Sequence, residues 1–119
     1  MNPVQKTDLP VLFPMPAQQT TVALDRAFPK DQAALLKLGF LPQDMQDKWF
    51  IYFEKDVLHF HRSWTGYCIY QVSFTQEGDA LRMTQALVNR DPEQYQETSA
   101  ERDRQNISQV IDAFLLRRE

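Results

Sequence analysis

Two histidines, His59 and His61, stand two residues apart in the run Val57-Leu-His-Phe-His-Arg62, and in an extended chain such a pair projects from one face. Tyr52 and Glu54 join that face if the preceding run pairs with this one. A His-x-His metal pair with a carboxylate as third ligand is therefore one chemistry that the spacing permits. The set has no obvious fourth ligand, so the expectation is no bound metal and no cofactor, with histidines that are solvated or turned toward a partner. Cys68 is the only cysteine, and its use as a nucleophile would require a base within hydrogen-bond reach. The expected strand register puts Cys68 on the buried face and both histidines on the other, which predicts a small core residue. A Ser63-His61-Asp91 arrangement has neither a strained nucleophile turn nor an oxyanion-hole loop around Ser63.

A second group of polar residues closes the strands: Arg62-Ser63-Trp64-Thr65-Gly66 and Asn89-Arg90-Asp91. Both come after strand ends, and the strand order brings them to the same end of the sheet. Two arginines, an exposed indole and short hydrogen-bonding side chains could recognise a planar base, a phosphate or an acidic protein loop. The same residues also have structural uses. Arg62 can stack over Trp49, Trp64 can close the sheet end, and Asp91 can cap the turn at Pro92.

The elements that must position these residues are read from alternation and turn signals. A two-residue loop at Lys55-Asp56 sets Phe53 opposite Leu58, Ile51 opposite Phe60 and Trp49 opposite Arg62. A three-residue loop Trp64-Thr65-Gly66 then pairs Phe60 with Tyr70 and Leu58 with Val72, with Gly66 where positive φ is wanted. A turn at Gly78-Asp79 aligns Phe74 with Met83, Val72 with Gln85 and Tyr70 with Leu87. The expected core face is Trp49, Ile51, Phe53, Leu58, Phe60, Cys68, Tyr70, Val72, Phe74, Met83 and Leu87. Ile107, Val110, Ile111, Phe114 and Leu115 recur at helical spacing to cover it, and Thr98 with Glu101 reads as a capping box for a helix over 99–117. Pro29 and Gly39 bracket a short helix at about 29–38. Residues 1–20, with Pro3, Pro10, Pro14 and Pro16, form an extended arm without helix that lies over the domain. The predicted fold is thus α+β: one domain over 1–119, a four-stranded antiparallel meander over 48–90 with the C-terminal helix on one face and a short N-terminal helix at its border.

With 119 residues the chain can bury a core without disulfides or metal. A lone cysteine and a start lacking a basic, apolar export signal predict a cytoplasmic protein, and no apolar run approaches membrane-spanning length. Thirteen Lys and Arg against sixteen Asp and Glu argue against nucleic acid as a partner and suit a basic protein better.

Lys48-Trp49-Phe50-Ile51-Tyr52-Phe53-Glu54, His61-Arg62-Ser63-Trp64-Thr65-Gly66 with Cys68-Ile69-Tyr70, and Val88-Asn89-Arg90-Asp91 with Tyr95 resemble a family of small bacterial domains. Its members occur alone or joined to ADP-ribosylglycohydrolase-like proteins. They are associated with immunity to Rhs-type ADP-ribosyltransferase toxins, a setting of type VI secretion. The resemblance spans about 48–117. It implies a non-enzymatic inhibitor that binds the toxin's catalytic domain and keeps NAD or target from its cleft. The resemblance transfers no functional residue; contacts are expected, from their own chemistry and placement, at Tyr52, Glu54, His59, His61, Arg62, Trp64, Asn89 and Arg90. A nucleotide- or ADP-ribose-processing domain holding its ligand with Arg62, Trp64, Asn89 and Arg90 is the alternative, and a zinc-dependent domain built on the histidines is a third.

Overall fold

The computed structural model describes residues 2–9 and 11–116. Met1 and Pro10 of the predicted arm and Arg117 at the predicted helix end lie outside that range. The elements are β1 (Gln19–Phe28), α1 (Lys30–Leu38), β2 (Trp49–Glu54), β3 (Val57–Arg62), β4 (Cys68–Glu77), β5 (Ala80–Asn89) and α2 (Ala100–Val110), which runs into a π-helical turn at Ile111–Leu115. The sheet is antiparallel with strand order β1-β5-β4-β3-β2. It therefore has five strands where four were expected. Strands β2 to β5 are the predicted meander, and β1 adds to its far edge by pairing with β5. Helix α1 then carries the chain across one face from edge to edge, because β1 and β2 are the two outermost strands.

Local chemistry explains the turns. Lys55 and Asp56 both adopt positive φ, 55° and 62°, the conformation of a two-residue turn whose twist matches that of paired strands. The expected pairs Phe53–Leu58, Ile51–Phe60 and Trp49–Arg62 form as a result. Beyond the second turn Phe60 meets Tyr70 and Leu58 meets Val72, as expected, but a bulge sets His61 opposite Cys68 and leaves Ile69 as the extra residue. Ile69 joins the core cluster, while Cys68 shares the face of His61, since directly opposed residues point the same way. The placement of Cys68 among the core-face residues is thereby corrected. A second bulge, at Thr84, keeps Phe74 opposite Met83 but pairs Val72 with Ala86 and Tyr70 with Val88. Ala86 and Val88 accordingly replace Gln85 and Leu87 on the core side.

The core lies between this face and the two helices. It contains Trp49, Leu58, Phe60, Tyr70 and Val72 from the sheet, Ala33 and Leu36 from α1, and Ile107, Val110, Ile111 and Leu115 from the C-terminal segment. Helix α2 begins one residue later than expected: the Ser99 hydroxyl, rather than Thr98, accepts a hydrogen bond from the Arg102 backbone N–H. In the π turn the Leu116 N–H reaches the Ile111 carbonyl. The widened turn belongs to the segment that seats Phe114 edge-on against Phe40, with ring centroids 5.0 Å apart.

The N-terminal arm lies over the domain, as expected. Val4 N–H bonds to the Leu38 carbonyl and Phe13 N–H to the Gly66 carbonyl, and the Phe13 ring packs against Tyr67. The arm is not free of helix, because Lys6–Asp8 form a 3-10 turn closed by the Asp8 carboxylate on the Gln5 N–H. Gly66, at φ 80°, is indispensable to this crossing: a Cβ there would sit 2.3 Å from the Val11 carbonyl oxygen.

Val110 is buried within the packed stripe, so Val110→Asp places an unpaired charge in the core. The expected result is a loss of about 3 kcal/mol or more of unfolding free energy, read as a lowered denaturant midpoint. An unchanged midpoint would remove α2 from the core.

Candidate functional site

The structure separates the residues of interest into three environments. The first is the second face of the sheet, where Phe50, Tyr52, His59, His61 and Cys68 pack together. Tyr52 stacks on His59 at 4.4 Å, with planes 6° apart, and on His61 at 5.8 Å. Tyr52 and His61 are buried. His61 Nδ1 lies 2.9 Å from the Gly66 carbonyl oxygen and so carries the proton that this oxygen accepts. His59 lies 3.3 Å from the Gln71 amide nitrogen. The arm borders this face, as Val4 and Lys6 share a depression with Tyr52 and Glu54.

Burial sets the protonation of this face. It pushes His59 down to about 4, with His61 adding to the effect and Glu54 opposing it. It also lowers His61, against the favourable bond to Gly66. The Tyr52 hydroxyl rises to about 12 by burial, then by the charges of Glu54 and Cys68. Burial alone pushes the Cys68 thiol up to about 12. At neutral pH these groups are uncharged. Cys68 does share a face with the histidines, contrary to the sequence expectation, yet its thiol is held protonated and buried. Among the described residues no three His, Cys, Asp or Glu side chains converge on a metal-sized site.

The second environment is a buried polar network at the exit of β5. Asn89 is fully buried; its amide N–H groups donate to the Cys68 carbonyl and to Gln94, and its oxygen accepts from the Asp91 N–H. Arg90 donates to the Glu97 carbonyl at 3.1 Å and pairs with Asp103. Asp103 is itself fully buried in α2. Its other carboxylate oxygen accepts from the Tyr95 hydroxyl at 2.8 Å, and Tyr95 lies 2.6 Å from the Tyr70 hydroxyl. Burial, then the neighbouring Tyr70 and Asp103, raise the Tyr95 hydroxyl far above its ordinary range. Asp91 caps its own turn by accepting from the Glu93 N–H. Asn89 and Arg90 are thus committed inward, apart from Arg62 and Trp64. Asp103 escaped the sequence reading, although it stands four residues before Ile107 and seven before Val110, in line with the apolar stripe.

The third environment is the open end of the sheet. The Arg62 guanidinium carbon lies 4.3 Å over the Trp49 ring, the stacking expected from the sequence. Trp64 is 68% exposed while its indole N–H donates to the Met45 carbonyl at 3.0 Å. The Ser63 hydroxyl anchors the same loop to the Asp47 carbonyl. Lys48, Arg62, Trp64, Tyr67, Glu93 and Gln94 line a depression of about 450 Å³ there. Of the expected contact residues, Arg62 and Trp64 come together at this surface. Tyr52, His59 and His61 lie on the second face of the sheet, with Glu54 at the arm's edge.

No family model, curated protein or solved structure matches the chain.

Arg90→Ala leaves the Asp103 carboxylate buried without its counter-charge, and removing one partner of a buried pair costs about 3–5 kcal/mol. The expected readout is a large drop in denaturant midpoint, well beyond that of a surface arginine. The histidines set a pH dependence of their own. Their folded pKa values lie below the unfolded value near 6.5, so the unfolded chain binds more protons in between. Stability is full above pH about 6.5 and falls toward pH about 4 as the neutral rings are forced to charge. A His59→Gln variant should show a shallower loss over that window in urea titrations.

Proposed function

We propose that this protein is a non-enzymatic immunity protein that acts in the cytoplasm by binding the catalytic domain of a cognate Rhs-type ADP-ribosyltransferase toxin and closing its NAD or target cleft. The observation that carries this reading is Trp64, an indole 68% exposed with its N–H fixed to the Met45 backbone. Met45 at 74% and Leu41 at 38% are exposed as well. Tryptophan dominates contact energies where it combines large area with a directional donor, and a ring already held in place costs little ordering on binding. Of the groups that could carry acid–base or thiol chemistry, His61 and Cys68 are buried and His59 is half-buried against Tyr52, and all three are neutral at pH 7. A net charge of −3 favours the long-range approach of a basic catalytic domain to the protein as a whole.

Titration of the purified protein against the activity of a cognate ADP-ribosyltransferase toxin, sought in the adjacent open reading frame, should end near one-to-one. Trp64→Ala should weaken the complex by roughly 2 kcal/mol without lowering the melting temperature. Protection at far substoichiometric amounts, with ADP-ribose released from modified target, would establish turnover and overturn the inhibitor reading.

A further inference from the structure

Arg62 differs from the other arginines that the structure describes. Arg26, Arg82, Arg90, Arg102 and Arg104 each face a carboxylate. Among the described residues Arg62 has no ion-pair partner and is held instead over the Trp49 ring. Lys48, exposed and likewise without an ion-pair partner among the described residues, lines the same depression. Two cations without ion-pair partners among the described residues thus line one depression, beside the Trp64 and Tyr67 rings. From this we infer that the depression is an anchor site for a carboxylate side chain, an Asp or Glu of the protein partner, seated between Lys48 and Arg62 with an adjoining apolar residue against Trp64.

The inference rests on the proposed binding of a protein partner and gives that contact its chemistry. Glu93 narrows the choice of anion. It also lines the depression, so two cations and one carboxylate leave a single net positive charge, which a carboxylate neutralises and a dianionic phosphate exceeds. The guanidinium is held over the Trp49 ring, and its planar fork suits a carboxylate's two oxygens. Net negative charge governs the approach of the partner at long range, whereas this site governs which residue locks in. The partner's contact point is therefore locally acidic even where the partner as a whole is basic.

The test uses the full chain and two probes. In 15N-labelled protein at low salt, millimolar N-acetyl-Asp-Phe-amide should shift the Trp64 indole N–H and the Lys48 and Tyr67 amides saturably. N-acetyl-Asn-Phe-amide should not, and Lys48→Glu should weaken the acidic probe by about tenfold or more. Lys48 is exposed, so this variant keeps its melting temperature, and Lys48→Met separates loss of charge from reversal. Equal shifts with the Asn probe, no shifts with the Asp probe, or stronger shifts with AMP overturn the inference, the last by assigning a nucleotide instead. Affinity for the cognate toxin candidate is measured alongside. A complex that forms but is indifferent to Lys48→Glu overturns the carboxylate anchor and leaves the immunity reading standing. An acidic probe that binds while the toxin does not supports the anchor and removes the toxin as its partner.

Discussion

The structure turns on one buried carboxylate. Asp103 lies in α2 with no exposed surface, in line with the apolar residues that pack the helix onto the sheet. A charge there is tolerable only if its oxygens are met, because the penalty of desolvation otherwise exceeds what the packing returns. Arg90 and Tyr95 meet them. The three residues come from the end of β5, the turn after it and the helix, so the pairing fixes where the helix sits along the sheet. A helix held by Ile107, Val110 and Ile111 alone would keep its face but could slide, since apolar contact is non-directional. The network supplies the register, and Tyr70 carries it into the middle of the core.

The two faces of the sheet are finished by different means. One is sealed by helices. The other, with Tyr52, His59, His61 and Cys68, is closed by stacked rings and bordered by an arm fixed at Leu38 and Gly66. This packing makes His61 part of the scaffold and leaves His59 half-buried beside Tyr52, with the loop ends as the more accessible polar-aromatic surface. The indole of Trp64 and the guanidinium of Arg62 are both held from behind, by Met45 and by Trp49. The accessible surface is therefore preorganised by contacts that lie within the domain.

The hairpins were legible because their turns are written locally. Lys55-Asp56 and Gly78-Asp79 each join strands that pair immediately, and alternation assigned Trp49, Leu58, Phe60, Val72 and Phe74 to the core. The two bulges were not legible, since Ile69 and Thr84 interrupt an alternation that reads equally well without them, and each one flips the residues on its far side to the opposite face. Strand β1 was hidden for another reason. Its apolar residues, Val22, Ala23, Leu24, Ala27 and Phe28, do not alternate, an irregularity falls between Ala23 and Arg26, and no turn joins it to its partner. At the site, Arg62 over Trp49 and the Asp91 cap were readable from neighbouring positions. The inward commitment of Asn89 and Arg90 was not, because the Cys68 carbonyl that Asn89 meets depends on the bulge in β4 and the Asp103 partner of Arg90 on the placement of the helix.

The crossing of α1 from edge to edge bears on the order in which the chain can assemble. Gln19 must meet Asn89 and Phe28 must meet Leu81, whereas β2 through β5 need only close short loops. Contacts that span little sequence form first and distant ones later. Although β1 precedes the other four strands in the sequence, it is thus the last of the five to find its place, and until then the outer edge of β5 is unpaired. Its arrival buries the backbone groups of β5 and moves the edge of the sheet out to β1, where charged Asp25 and Arg26 stand.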